Sequence, residues 1–506
     1  MASTFFGLNI ATSGISAAQA GLSTTMHNVA NENTKGYSRQ QISQSAANAI
    51  RFYTSYGMLG AGVEVSKISQ VRDSYYDDKY RYNQAKVGEY TSKDTYALQI
   101  EDYFNEFETD GFIVEYENLF DTLKSMQGNP SELTYRNEFL SSCQTIAEYF
   151  NDIQTKLTNL QQETNTEVSN LVDRINTISS QVASLTKQIN TVELTGAVAN
   201  DLRDKRELLL DELSEIIPIE VTESIGKNGN SEFDVKVQGV TLVDTYDSMQ
   251  LYTVERENPK NSMDSPGLYD IYFQGTKLDV QAMGLSGSLR AALDVRDGNN
   301  GTIEEGNPDC EAIKYKGIPH YVNKIQVFKK TITNLFNDIH QKNTRKDENG
   351  NDVPANYNLY GNTTENLPIF KLSDNGVLTV NQELIDDPSL LAASEYPIND
   401  GKEDAGLIDK FIALKDKQAF SNYTASDFLQ SIVSEIAVDV KKAQTFEKNH
   451  ANIQKSIENQ KMSVSGVDGD EESMNLVKYQ EAFELSSKMI SVMQEIYNKL
   501  INEMGV

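Results

Sequence analysis

The sequence predicts a mainly α protein with a β-rich insertion and nested, discontinuous domains. These comprise paired N- and C-terminal coiled-coil helices, a long-helix bundle and a β domain. Three observations predict this. Apolar residues recur at alternating steps of three and four near both ends of the chain. A longer stripe of the same kind runs through residues 153–192. From residue 218 the period shortens to the two-residue alternation of strands. A 3.5-residue repeat asks for a helical partner, whereas alternation asks for a half-buried pleated surface.

The elements follow in order. Residues 1–30 form the first helix, with a seam at Leu8, Ala11, Ile15, Ala18, Leu22, Thr25 and Val29. Turn-forming residues at 31–37 break it. Gly57, Gly60 and Gly62 mark a loop, and Val63, Val65 and Ile68 a short extended piece. Helices follow at 73–105 and 112–127, the second stopped by Gly128, Asn129 and Pro130. The long stripe then runs from Ile153 to Val192, with a stutter around Thr164 that locally unwinds a coiled coil. Gly196 ends that helix, and 201–217 return as another.

Strands are predicted at 219–224, 233–240, 248–256 and 268–280, with a turn at 226–230. Helix resumes at 285–296 and 321–341, around a polar, acidic loop near 298–320. Residues 343–400 read as irregular and 425–462 as a second long helix. Gly466 and Gly469 precede a terminal helix with a seam at Leu476, Tyr479, Phe483, Ser486, Ile490, Met493, Tyr497, Leu500 and Met504. Asp470, Glu471 and Glu472 occupy its first turn, where carboxylates suit the helix dipole.

The order of helices, strands and helices implies a chain that goes out along one set of helices and returns along another. The domain expectation is therefore 1–62 with 463–506 as a terminal helical domain. Residues 63–217 with 318–345 and 400–462 form a long-helix bundle domain, 218–317 a β-rich domain, and 346–399 an irregular segment packed on the bundle.

Composition narrows the function. Asp and Glu outnumber Lys and Arg by 74 to 45, a net charge of −29. Phosphate backbones and anionic lipid surfaces repel such a chain, so neither nucleic acid nor membrane is an expected partner. No apolar run has the length of a membrane span. The first positive side chain is Lys35, so the start does not read as a secretory signal. Two cysteines make no disulfide framework; Cys143 falls on an apolar stripe and reads as core.

No catalytic constellation survives inspection, and the chain reads as non-enzymatic, with no cofactor or metal. The four histidines, His27, His320, His340 and His450, have no zinc spacing. His27 reads as a packing or interface residue and His450 as solvated. The run 347–352 begins like a calcium loop but has Asp352 where glycine is required and Asn358 where a bidentate Glu is required. It reads as a polar turn.

The terminal seams need more than each other. Ala and Thr bury little apolar area, at roughly 25 cal/mol per Å², so a two-helix pair built on them should be marginal alone. This predicts an assembly interface at Leu8, Ala11, Ile15, Ala18, Leu22 and Val29 in the first helix. In the last helix it predicts Leu476, Phe483, Ile490, Met493, Tyr497 and Leu500.

The run HNVANENTKGYSRQ at 27–40 resembles the N-terminal signature of bacterial flagellar axial proteins, the rod, hook and junction subunits. Its signature turn holds Asn28, Ala30, Asn31, Thr34, Gly36, Tyr37 and Arg39. PSELTYRNEF at 130–139, NDLRDKR at 200–206, DPSLLAAS at 387–394, VSGVD at 464–468 and YQEAF at 479–483 narrow the resemblance to the hook–filament junction family. A hook or distal-rod protein of the same axial family is the alternative.

The resemblance implies a secreted structural subunit of the flagellum, exported by the type III route. It implies assembly with copies of itself in a ring, and contact with the hook protein and a second junction protein on the filament side. An export chaperone would bind the C-terminal helix. The terminal helices would form the inner tube, and the β domain would face outward. Gly36 and Tyr37 would sit in the turn leaving the first helix.

Overall fold

The computed structural model describes residues 6–51, 58–109, 112–226, 231–280, 284–304, 307–397 and 404–503. Gly57, the turn residues 227–230 and the seam residue Met504 lie outside these. In chain order, α1 (Phe6–Ala30) leads to the strands β1 (Gln40–Ala46), β2 (Ile50–Arg51), β3 (Met58–Leu59) and β4 (Val63–Gln70). Four helices follow: α2 (Ser74–Thr109), α3 (Phe112–Gly128), α4 (Leu133–Glu193) and α5 (Asn200–Ile216). Strands β5 (Glu220–Ile225), β6 (Ser231–Val237), β7 (Val240–Asp244), β8 (Asp247–Ser248), β9 (Leu251–Glu255), β10 (Tyr269–Phe273) and β11 (Thr276–Lys277) come next. Then come α6 (Ser288–Asp297), α7 (Ile318–Lys342) and two hairpins, β12 (Thr344–Lys346) with β13 (Asp352–Pro354) and β14 (Phe370–Leu372) with β15 (Leu378–Val380). The helices α8 (Gln382–Asp386), α9 (Gly406–Ile412), α10 (Ala425–Ser465) and α11 (Gly469–Asn502) complete the chain.

These elements form two compact units, Met1–Gly88 with Asp173–Leu251 and Asn449–Val506, and Glu89–Val172 with Tyr252–Lys448. The division falls inside α2, α4 and α10. The expected mainly α character with a β-rich insertion is present. No helix of the described residues is long and apolar enough to cross a membrane.

In the first unit, β1 and β4 pair antiparallel with a bulge at Ser43 and Gln44. The sequence announces β4 but not β1, because β1 buries only Gln40 and Ile42 and its other positions are polar or, at Ala46, small. The strands β5 to β8 form one antiparallel meander in sequential order. Phe233, Val235 and Val237 of β6 are buried, as the alternation requires. Asn190 of α4 donates to the Ser231 carbonyl at 2.9 Å and accepts from its N–H at 3.0 Å, extending the hydrogen-bonding pattern from helix to strand. The remaining predicted strands build a separate sheet, in the order β11-β10-β9, so the β-rich segment divides into two sheets.

One structural expectation is corrected in this unit. His450 is half-buried rather than solvated throughout: its Nδ1 lies 3.1 Å from Asn83 Oδ1, and its carbonyl accepts from Asn83 Nδ2 at 3.0 Å. An apolar-poor helix segment can still be covered when polar side chains of a neighbouring helix supply the partners.

The second unit holds the larger core, in which Phe139, Cys143, Phe150, Phe328, Phe336 and Phe411 are fully enclosed. Phe336 stacks on Phe411 with centroids 5.6 Å apart. Cys143 is core, as its stripe predicts. At the stutter, Thr164 is fully buried and its hydroxyl donates back to the Leu160 carbonyl at 2.7 Å. Arg136 and His340 seal the 387–394 segment from inside. Arg136 donates to the Pro130 carbonyl at 2.8 Å and the Leu391 carbonyl at 2.6 Å, and His340 Nε2 accepts from Ala392 N–H at 2.9 Å.

The acidic loop near 298–320 is ordered by Asn299, whose amide donates to the Glu311 carbonyl at 2.8 Å and accepts from Ile313 N–H at 3.0 Å. Gly298 and Gly317 approach so closely that a Cβ at either would lie under 3.0 Å from the other's backbone nitrogen. The run 347–352 is a hairpin turn between β12 and β13, with Asp347 Oδ1 accepting from the Asn349 and Asn351 N–H groups.

Candidate functional site

Helix α1 carries glycine at every seventh residue where it meets α11. Gly7 faces Met493, Gly14 faces Ser486 and Gly21 faces Tyr479. The two registers run in opposite directions, so the helices pack antiparallel. A Cβ at position 21 would stand 2.5 Å from the Tyr479 ring, and one at position 14 would stand 2.7 Å from Ser486 Oγ. The missing side chains let the aromatic ring of α11 lie directly on the α1 backbone. Sequence reasoning reads the seam from its apolar residues and misses this glycine row, although the seven-residue spacing of Gly7, Gly14 and Gly21 is visible in the sequence.

The expected seam residues divide by burial. Ala11 and Ala18 are buried, while Leu8, Ile15 and Leu22 are half-buried. Leu476, Phe483, Ile490, Met493 and Tyr497 are also half-buried. Val29 is 43% exposed and Leu500 39%, so both are less covered than the rest of the seam. Apolar side chains also stand on the far side of α11, where Leu485 is 62% exposed, Val492 55% and Ile496 44%.

The signature turn closes around Asn28, which is 1% exposed. Its amide donates to the Gln40 carbonyl at 2.8 Å. Its Oδ1 accepts from the Gln40 N–H at 2.9 Å and from the Tyr37 hydroxyl at 2.7 Å. One asparagine thereby fixes the entry to β1 and the exit of the turn. Gly36 has φ +81° and faces Leu208 of α5, so it supplies the left-handed residue that reverses the chain. Burial, with Asp201 and Asp204 nearby, pushes the Tyr37 phenol well above its ordinary range and keeps it a donor. His27 stands edge-on to Tyr37, 5.5 Å between centroids, and 3.4 Å from Asp201 Oδ1. Asn31 is half-buried and donates to the His27 carbonyl at 3.0 Å, while Ala30 and Thr34 are exposed.

Arg39 ties this turn to the far end of the sequence. Its N–H donates to the Ser465 carbonyl at 2.8 Å. Its guanidinium donates to Glu472 through Nε at 2.7 Å and to both Glu471 oxygens at 2.8 and 3.0 Å. The acidic first turn of α11, which also suits the helix dipole, is therefore where the N-terminal segment is latched. Asp468 caps the same helix by accepting from the Asp470 and Glu471 N–H groups.

Beneath the turn lies an ionic cluster. Arg72 pairs with Asp77 at 2.6 Å, Arg81 with Asp211 at 2.9 Å and with Glu207, and Lys461 with Asp77 at 3.0 Å and Asp211 at 2.9 Å. Burial raises the Glu207 carboxyl, but Arg81, Arg72 and Arg206 outweigh it and bring it down to about 2. Ser38 N–H donates to Asp204, and Gln40 Nε2 to Asp201 at 2.8 Å, so the NDLRDKR segment on α5 anchors the signature segment. Motif reading marks both segments; only their folding shows that each holds the other. The arrangement binds these elements together through ion pairs and hydrogen bonds.

The chain is similar to known proteins along its whole length. Residues 97–353 match the family model described as the flagellar hook-associated protein FlgK helical domain. Residues 458–503 match that of the flagellar basal body rod FlgEFG protein C-terminal. The chain is 28% identical over 529 residues to flagellar hook-associated protein 1 of Bacillus subtilis (strain 168), covering 100% of this chain and 99% of that protein. It is 24% identical over 558 residues to flagellar hook-associated protein 1 of Salmonella typhimurium (strain LT2), covering 98% and 99%. The solved flagellar hook junction protein FlgK from Burkholderia pseudomallei aligns with a TM-score of 0.44 at 20% identity, covering 58% of this chain and 47% of that one. With more than half of its residues matched by the helical-domain model, the chain belongs to the FlgK family of flagellar hook-associated proteins.

Proposed function

We infer that this chain is a structural, non-enzymatic subunit of the bacterial flagellum at the hook–filament junction, and that it assembles through its terminal helices. Membership of the family carries the first part. The observation that supports the second is the α1–α11 pair. It covers one flank of each helix and leaves Leu485, Val492 and Ile496 of α11 exposed. Unpartnered apolar side chains along a helix favour burial against further helices.

Within this proposal, the interface residues are Leu8, Ala11, Ile15, Ala18, Leu22 and Val29 with Leu476, Phe483, Ile490, Met493, Tyr497 and Leu500. The signature turn holds α1 and α11 in the geometry that assembly requires. Residues 1–62 with 463–506 form the inner tube, the long-helix residues the next shell, and the β-rich residues 218–317 face outward. The partners are copies of the chain in a ring, the hook protein on one side and a second junction protein on the other. An export chaperone holds the C-terminal helix until type III export delivers the chain outside the cell.

A deletion strain tests the function. Loss of the chain should leave hooks without filaments and filament protein shed into the medium. Cells that lack it and still carry filaments, or that lack hooks, would overturn the proposal.

A further inference from the structure

The helices of the second unit carry opposite charge on two of their outer faces. On α4, as far as Val172, the carboxylates Glu138, Glu148, Asp152 and Glu163 are exposed and Glu167 is half-buried. Steps of 10, 4, 11 and 4 residues keep all five on one side of a helix with 3.6 residues per turn. One cation stands among them, Lys156, paired with Asp152 at 3.1 Å. On α10 the sign is reversed. Between Ser434 and Lys448 its exposed positions hold Lys441, Lys442 and Lys448 and no carboxylate. None of the three lysines has an ion pair among the described residues. The three carboxylates of that stretch are half-buried. Lys316 and Lys324 hold Glu435, Lys316 also holds Asp439, and Glu447 follows the buried Val440 by seven residues, on the inward side.

The two faces look away from each other, because α2 and α7 each touch both helices. Tyr90 of α2 stacks on Phe446 of α10 with centroids 4.9 Å apart, and Tyr96 of α2 bonds Thr164 of α4. Phe328 of α7 packs on Phe150 of α4 at 4.7 Å and on Phe428 of α10 at 6.4 Å. A chain with a net charge of −29 repels its own copies. Salt screens that repulsion beyond about 10 Å, so the charges that face each other across a contact decide whether it forms. The basic α10 face is an exception on an acidic chain, and the acidic α4 face of a second copy complements it. Opposite signs on opposite sides make a head-to-tail contact, which repeats from copy to copy until it closes a ring or runs on as a helix.

We propose that the α10 face of one copy packs on the α4 face of the next, with Lys441, Lys442 and Lys448 set against the α4 carboxylates. The proposal rests on the reading that copies of the chain assemble with one another, and it adds a second contact to that of the terminal helices.

Charge reversal tests it in cells whose only source of the protein is the variant chain. Lys442→Glu with Lys448→Glu should lower the fraction of filamented cells about tenfold, and so should Glu148→Lys with Glu163→Lys. All four substitutions in one chain should restore most of it. These positions are exposed, so each variant should keep the unfolding transition of the parent. In a Cys310→Ser chain, Glu163→Cys and Lys448→Cys stand on opposite sides of the unit, and Cys143 is buried. A short bismaleimide cannot bridge the two introduced thiols within one copy, so a ladder of linked chains in isolated hook–junction complexes reports the contact between copies. Normal filaments with either pair reversed, a combined variant no better than the pairs, or cross-links to hook or filament-side protein only, would overturn the proposal. Ile490→Asp separates the two readings. If it blocks assembly while the reversals have no effect, the α4–α10 contact alone is wrong; if it too has no effect, assembly through the terminal helices is wrong as well.

Discussion

Arg39 and Glu472 stand 433 residues apart in sequence and 2.7 Å apart in the fold, with the Glu472 side chain only 2% exposed. The same guanidinium holds Glu471, so the chain's first turn after α1 is latched to the first turn of α11. Arg39→Ala leaves a buried carboxylate without its partner. The expected loss is about 2–3 kcal/mol, the range for charge-assisted hydrogen bonds to a buried group. Amide exchange over 469–480 should accelerate with it. Unchanged exchange there would show that the latch does not hold α11.

The glycine row predicts a graded series. Gly21→Ala places a methyl 2.5 Å from the rigid Tyr479 ring and should part the helices. Gly7→Ala meets the flexible end of Met493, which can turn aside, and should be tolerated. Limited proteolysis of the two variants should release the terminal segments faster from the first than from the second. Equal rates would mean that the helices do not need this close approach.

Glu207 gives the ionic cluster an acid limit. Its folded carboxyl titrates at about 2 against an ordinary 4.5, so its ionised form stabilises the fold above 4.5. That contribution is lost as pH falls from 4.5 to about 2. Glu207→Gln should be less stable than the parent at neutral pH and should show a flatter loss of stability across that acid window. Parallel pH profiles for the two proteins would refute the assignment.

Lys329 acts with the opposite sign. It is fully buried, and its ammonium meets only neutral acceptors: Asn151 Oδ1 at 2.9 Å, Gln154 Oε1 at 2.6 Å and the Gly376 carbonyl at 3.0 Å. Burial lowers its pKa from 10.5 to about 7. A folded pKa below the unfolded one means that protonation favours unfolding, so this group makes stability rise with pH from about 7 to 10.5. Lys329→Met should remove that rise in melting temperature. A rise that persists in the variant would place its origin elsewhere.

The helices and the family signature were legible in the sequence because long 3.5-residue stripes and fixed motif runs survive as local patterns. The strand β1 was not, since only Gln40 and Ile42 of its seven residues are buried and its partner β4 supplies the order. The role of α5 was also hidden. NDLRDKR is an ordinary acidic and basic run until Asp201 and Asp204 are seen to accept from Gln40 and Ser38. Terminal seams show what a helix face prefers, but Val29 and Leu500 look like Ile15 and Ile490 in sequence. Only packing shows that the first two are left more exposed. His450 illustrates the same limit for a polar helix face, where Asn83 supplies the cover.

The most direct test of assembly through the terminal helices is filament growth in a deletion strain supplied with the Ile490→Asp chain. Secretion of the variant and its central fold should be unchanged, while the hooks stay bare and filament protein appears in the medium. Filaments of normal number and length on cells carrying only this variant would contradict the account.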